Sequence, residues 1–208
     1  MVTIYTVFIT IGCVKSLMIY QRAKGAPDAV PYGTKFDTQA VGYEWIGHSL
    51  AAIHADKETP NKRIAVGGPD CLQPYAASVF NISAMSFGSL SNNAVMALNK
   101  GAKLGNFAHN TGEGGISPYH LKHGGDLIWQ VGTGYFGCRN DDGTFNGDTF
   151  RKNAIKPEVK MIEIKLSQGA KPGHGGILPA SKNTPEIAAI RHVKPGIAVH
   201  SPPSHSAF

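Results

Sequence analysis

The chain lacks most of the signals that would announce a disulfide scaffold, a zinc site or a nucleic-acid surface. Its three cysteines, Cys13, Cys71 and Cys138, fall at long, odd spacings. They give neither a disulfide framework nor a CxxC metal knuckle, and a reducing compartment is the simpler setting. The formal net charge is +6, yet no run of lysine and arginine exceeds two residues (Lys62–Arg63, Arg151–Lys152). Scattered cations without interleaved aromatics are not a nucleic-acid stripe, so no nucleic acid is expected as a partner. No GxSxG elbow and no Walker loop occurs, which leaves out two common nucleophile and phosphate devices. His120 and His123 in YHLKHGG have no neighbouring cysteine or carboxylate to complete a zinc set, and no metal ligand is assigned.

Long hydrophobic runs are also missing. The apolar opening MVTIYTVFITIGCV, followed by Lys15, is short of the ~18–20 residues a spanning helix needs. It has no basic n-region or small-residue cleavage site of a secretory signal. A truncated anchor, a surface-docked segment and a misassigned start stay open beside a plain terminal segment. The expected location is cytoplasmic, with membrane association through the N-terminus as the alternative.

What is present is a globular composition: 42% hydrophobic and 16% charged residues. The 25 glycines exceed the usual share of about 7% and cluster in loops, which points to close backbone approach. The sequence divides into an apolar segment over 1–17, an irregular leader over 18–78 rich in turn formers, and a patterned region over 79–208. A helical interlude is expected near GYEWIGHSLAAI. From Val79 onward, VFNISAMSF reads as a strand ending at Gly88. A helix follows over SLSNNAVMALNKGAKLG, with Ser91 as N-cap, Gly105 at its end and Ala94, Leu98 and Ala102 on one face. NFAH, DLIWQVGTGYFG and VKMIEIKLSQ read as three more strands, and TPEIAAIRHV as a helix with Thr184 as N-cap and Pro185 at its first position.

Strands that run into glycine-rich loops, with helices between, suggest parallel βα units. The expected fold class is α/β, a (β/α)8 TIM barrel of which about the first four βα units are present. An open doubly wound sheet obeys the same rule of functional residues at strand C-termini.

The fourth strand is unusual. Residues two apart share a face, so Met161, Glu163 and Lys165 point one way and Ile162, Ile164 and Leu166 the other. The apolar row suits a helix layer, leaving Glu163 and Lys165 to face the barrel interior, where they either pair or do chemistry. Lys165, Gln168 and Lys171 follow as a polar series among Gly169, Gly173, Gly175 and Gly176. A cation there suits the anionic edge of a reduced flavin or a dicarboxylate substrate. Glu113 stands alone among the glycines of NTGEGG, either solvated or functional. Gln130 either donates to a ring edge or satisfies a neighbouring backbone group. SAMSFGSLS brings Ser86 and Gly88 to a helix N-terminus.

The ordered motifs ISAMSFGSLS, NTGEGGISPYH, GGDLIWQVGTGYFGCR and VKMIEIKLSQGAKPGHGG resemble the FMN-binding synthase domain of glutamate synthase. The leader stretches YQRAKGAPDAVPYGT and GGPDCLQPY are similar to those of the stand-alone FMN-binding glutamate synthase family. The resemblance covers roughly residues 18–208. It implies an FMN-dependent oxidoreductase acting on CH–NH2 donors, in which 2-oxoglutarate and ammonia give 2-iminoglutarate and reduced FMN delivers a hydride to form L-glutamate. By position, Ala84, Met85 and Ser86 are implied as flavin contacts and Gln130 and Lys165 as ring-edge partners. Glu113, Gln168 and Lys171 are implied around the substrate, with Lys165 and Glu113 as the catalytic pair. The resemblance also implies an electron donor, an NAD(P)H reductase or ferredoxin, and ammonia supplied free or by a glutaminase partner.

The chain departs from the family at His174 and Ile177, where KPGEGGQLPG would have Glu and Gln. Another 2-oxo or 2-hydroxy acid is therefore the alternative substrate. About four strands are a half-barrel, so the chain is expected to be a fragment, by itself inactive, that holds the flavin ring edge but not its phosphate. An iron–sulfur cluster is expected in the missing C-terminal half. A flavin-free, membrane-associated remnant is the non-enzymatic alternative.

Overall fold

The computed structural model describes residues 19–21, 23–26, 39–44, 47, 50–51, 63–168 and 174–205. The chain forms two compact units, Met1–Thr59 and Pro60–Phe208. In the first, the described residues make helical turns at 19–21 and 23–24 and a turn at 39–42. The apolar segment 1–17 and half of GYEWIGHSLAAI lie outside the described residues. Among the described residues no helix is long and apolar enough to cross a membrane.

The second unit opens with an antiparallel pair, β1 (Arg63–Val66) and β2 (Tyr75–Ser78), which the turn-rich composition of the leader did not announce. A parallel sheet follows. Its strands are β3 (His109–Asn110), β4 (Leu127–Val131) and β5 (Val159–Ile164), in that spatial order. The segment expected as the first strand, Val79–Phe87, is an extended stretch that joins β3 through one parallel bridge, Ile82 to His109. Ile82 N–H donates to Ala108 O at 2.8 Å and Ile82 O accepts from Asn110 N–H at 3.0 Å. Four consecutive parallel segments thus run side by side, the α/β pattern expected.

Helix α1 (Asn92–Gly105) connects the first two segments. Ser91 caps it by accepting from Ala94 N–H, and Asn106 ends it in the left-handed conformation at φ 52°. Its inward face is Val95, Asn99 and Ala102, not the expected row through Ala94 and Leu98. The displacement by one position has a polar cause: Asn99 Oδ1 accepts from His123 N–H (3.2 Å) and Gly125 N–H (3.3 Å). A buried asparagine satisfied in this way holds the loop before β4, and apolar periodicity cannot see it.

The short α2 (Pro118–Leu121) and α3 (Gly147–Ala154) precede β4 and β5. α3 was not expected, because Phe150 and Ala154 are the only apolar residues in its eight positions. Phe150 stacks on Trp129 with centroids 5.2 Å apart. Trp129, Val131, Tyr135 and Cys138 are buried together behind the sheet, against Ile116, Phe150, Ala154 and Val159. Because Trp129 is completely buried, Trp129→Ala should cost about 3–5 kcal/mol, read as a lower urea midpoint with unchanged slope.

On β5 the expectation for the apolar row is corrected. Ile162, Ile164 and Leu166 are 41%, 55% and 72% exposed, because among the described residues β5 is an edge strand paired only with β4. No described helix covers that face. The chain then forms β6 (Gly176–Leu178), α4 (Pro185–Arg191) and β7 (Val199–Ser201), with β6 and β7 antiparallel. Thr184 caps α4 by accepting from Ile187 N–H, and Pro185 opens it. A second core of Phe87, Val95, Phe136, Leu178, Ile187 and Val199 ties this region to the N-terminal end of α1.

Candidate functional site

The C-terminal ends of the parallel segments bring the polar residues to one end of the sheet. Lys165 continues β5, its N–H bonded to Val131 O at 2.9 Å. Its Nζ donates to Gln168 Oε1 at 2.7 Å and lies 3.2 Å from Glu113 Oε2. Gln168 Nε2 donates to the same Glu113 oxygen at 2.8 Å, and Ser201 Oγ to Glu113 Oε1 at 3.3 Å. One carboxylate therefore gathers a cation, a carboxamide and a hydroxyl from two other parts of the chain. The ion pair is only partly buried, 28% and 20% exposed, so it stays reachable.

Lys165 thus pairs with Glu113 from the NTGEGG loop rather than with its strand neighbour Glu163. Glu163 instead accepts from Gln130 Nε2, its register partner across β4 and β5. Gln130 is buried, with its backbone N–H on Thr111 Oγ1 at 3.2 Å. Lys171 lies outside the described residues.

Glycines set how closely the loops approach. Gly112 has φ +65°, and a Cβ there would stand 2.9 Å from Ser86 N. A Cβ at Gly132 would meet the Glu113 side chain at 2.7 Å. The first contact lays the Ala84–Met85–Ser86 segment against the NTGEGG loop; the second lets Glu113 cross the end of β4. Met85 N–H donates to Asn110 O at 3.0 Å. Residues 132–137 literally spell GxGxxG, but they lead through turns and reach α3 only at Gly147. That is not the strand-to-helix junction dinucleotide binding requires.

Two contributors were not foreseen. Arg191, 5% exposed, reaches from α4 to donate to Phe87 O at 3.3 Å and lies over the Phe136 ring at 5.1 Å. Burial lowers its pKa, while the negative charge of Glu113 acts the other way. Its signal was in the sequence: Ile187, Ala188 and Arg191 share the buried face of α4, so an arginine sits where an apolar residue belongs. Ser201 and the segment after it carried no signal. Thr133 Oγ1 donates to Pro202 O at 2.6 Å, and His205 bridges Tyr135 Oη and Lys165 O at 2.9 Å each. These contacts lace β7 across the ends of β4 and β5.

Below this cluster, His109 and His120 stack with centroids 5.2 Å apart, both fully buried. Burial, and secondarily the charge of His120, pushes the His109 pKa from the ordinary 6.5 down to about 3. Burial lowers His120 as well. Protonation therefore favours the unfolded chain. Stability should be full above pH 6.5 and fall as pH drops toward 3, by up to about 1.4 kcal/mol per unit for His109, with His120 acting in the same direction. Urea unfolding at pH 7 and pH 5 checks this, and His109→Phe should flatten the slope.

A separate open cleft of about 580 Å³ lies at the opposite, N-terminal end of β4 and β5, lined by Tyr75, Asp126, Lys160 and Met161 among others. Tyr75 Oη donates to Asp126 Oδ2 at 2.9 Å, and its pKa is pushed up to about 12 by burial and that bond. None of the residues around Glu113 lines it.

Residues 47–208 match the family described as the conserved region in glutamate synthase. The chain is 43% identical over 145 residues to the glutamate synthase large subunit-like protein YerD of Bacillus subtilis, a match covering 69% of this chain and 27% of that protein. It is 37% identical over 123 residues to the archaeal-type glutamate synthase [NADPH] of Thermotoga maritima, covering 59% and 22%. It is 36% identical over 150 residues to the ferredoxin-dependent glutamate synthase of Pyropia yezoensis, covering 65% and 9%. The matched stretch is about a quarter or less of each relative's length.

Proposed function

The chain belongs to the glutamate synthase family, and from that premise we propose that it supplies part of the site where 2-oxoglutarate and ammonia are joined and reduced to L-glutamate. The observation that carries this reading is the Lys165 ammonium shared between Glu113 and Gln168 at the C-terminal ends of parallel strands. A partly exposed cation held by two polar partners is pre-organised for an anionic group, because its donors need little rearrangement.

The donor set also fits FMN. A planar ring with acceptor edges needs a cation, carboxamide donors and close backbone, and Lys165, Gln130 and the Ala84–Ser86 segment pressed on Gly112 offer these. Lys165 and Gln130 would hold the ring edge, and Ala84, Met85 and Ser86 would form its wall. Bound and reduced FMN would supply the hydride. Its phosphate, and any iron–sulfur cluster, would be held by chain outside these residues, consistent with the open edge of β5.

The chain's own residues handle protons and carboxylates. When ammonia adds to the C2 carbonyl, the nitrogen must lose a proton and the departing hydroxyl must gain one as water. Glu113 Oε2 is occupied by Lys165 and Gln168, whereas among the described residues Oε1 has only Ser201 at 3.3 Å. Oε1 is therefore the oxygen that takes and returns the proton. Lys165 and Gln168, both on Oε2, fix the orientation of the carboxylate. Lys171 is proposed as the second cation for the substrate dicarboxylate.

The reading is tested on the full-length protein by flavin absorbance after purification and by glutamate formation from 2-oxoglutarate, ammonia and a chemical reductant. NADPH and reduced ferredoxin are then compared as donors. A colourless protein without flavin, or flavin without glutamate formation, overturns it. Ile177, 58% exposed beside Gly176, occupies the family's glutamine position and favours a second reading. In that case a panel of 2-oxo acids would show a better substrate than 2-oxoglutarate.

A further inference from the structure

We propose that His120 is a positioning residue for the cofactor wall, fixing the Ala84–Met85–Ser86 segment through the Met85 carbonyl; this rests on the flavin reading above. The histidine belongs to a helix of four residues, so the inference comes from its side chain and not from the helix end.

Ser117 N–H points at His120 Nδ1 at 3.1 Å, and Ser117 Oγ lies 2.8 Å from the same nitrogen. A backbone N–H can only donate, so Nδ1 must be the acceptor and the ring proton must sit on Nε2. Nε2 is 2.9 Å from Met85 O and therefore donates to it. Met85 N–H is already given to Asn110 O at 3.0 Å. Both sides of Met85 are thus tied to neighbouring elements, one to β3 and the other to α2. Gly112, close beneath Ser86, closes off movement from the third side. The imidazole is fully buried against His109, which excludes the water that would compete for the carbonyl. Because both ring nitrogens are engaged, His120 has no lone pair left for a metal. His120 is thus a buried peg, whereas His123 is exposed.

The distinguishing property is a single donor at the Nε2 position. Glutamine places a carboxamide N–H near that point, whereas asparagine is too short and leucine has no donor. In the full-length protein, His120→Leu and His120→Asn should weaken FMN binding about tenfold or more and shift the visible spectrum of bound flavin, while His120→Gln stays within about threefold of wild type. Binding is read by quenching of free FMN fluorescence, independently of turnover. Equal FMN affinity in wild type, Leu and Asn variants overturns the inference and leaves the flavin reading standing. A wild-type protein that binds no FMN overturns both. If the Leu and Asn variants do not fold, the wild-type tautomer decides: histidine ¹⁵N shifts should report an Nε2–H, Nδ1-acceptor ring at His120, and an Nδ1–H ring contradicts the proposal.

Discussion

Lys165→Met in the full-length protein should lower the turnover number for glutamate formation by about 10²–10³ while leaving the fold intact. The two halves of this expectation have different origins. Methionine keeps most of the aliphatic stem but deletes the ammonium that bridges Glu113 Oε2 at 3.2 Å and Gln168 Oε1 at 2.7 Å. The pair is about a quarter exposed, and ion pairs reached by solvent contribute only about 0–1 kcal/mol to stability. Electrostatic stabilisation of charge that develops during reaction is worth more than that, because the cation is already in place. Single-turnover measurements alongside urea unfolding separate the two. A stability loss that accounts for the whole activity loss would make Lys165 a structural residue.

Glu113→Gln is the complementary test, expected to reduce turnover by about 10²–10⁴ with flavin content unchanged. The amide keeps the side chain's shape. Its single oxygen can still accept from Lys165 and Gln168, with its nitrogen turned toward Ser201, but it can no longer take up a proton. A carboxylate that served only to neutralise Lys165 would tolerate this change with a loss of a fewfold. Steady-state rates with ammonia varied at saturating 2-oxoglutarate give the comparison. The loss should fall on kcat and not on the KM for ammonia, since the step removed is proton transfer and not binding.

Much of the parallel sheet was legible because its strands combine β-branched or apolar runs with glycine punctuation, and its main helix carries both end signals, Ser91 and the Gly105–Asn106 stop. The capped helix after Thr184 was legible for the same reason. What escaped depends on partners distant in sequence. The β6–β7 pair has three residues on each side, too few for alternation to show. α3 holds to the sheet mainly through Phe150 on Trp129. In the site, Glu113, Lys165 and Gln168 could each be nominated from local pattern, but their convergence on one oxygen could not. Glu163 shows the limit clearly. Sequence spacing placed it on the same face as Lys165, yet cross-strand register gives it to Gln130, and only the register decides between an ion pair within one strand and one between loops. Ser201 joins Glu113 over 88 residues of sequence, with nothing local to mark it.

The most direct test of the account is a titration of the flavin-loaded full-length protein with 2-oxoglutarate, followed by the visible spectrum of the bound flavin in wild type and Lys165→Met. The account predicts a saturable spectral change in wild type that is lost, or weakened about tenfold or more, in the variant. An identical change at the same 2-oxoglutarate concentration in both proteins would contradict it, because the Lys165 ammonium would then touch neither ring nor substrate.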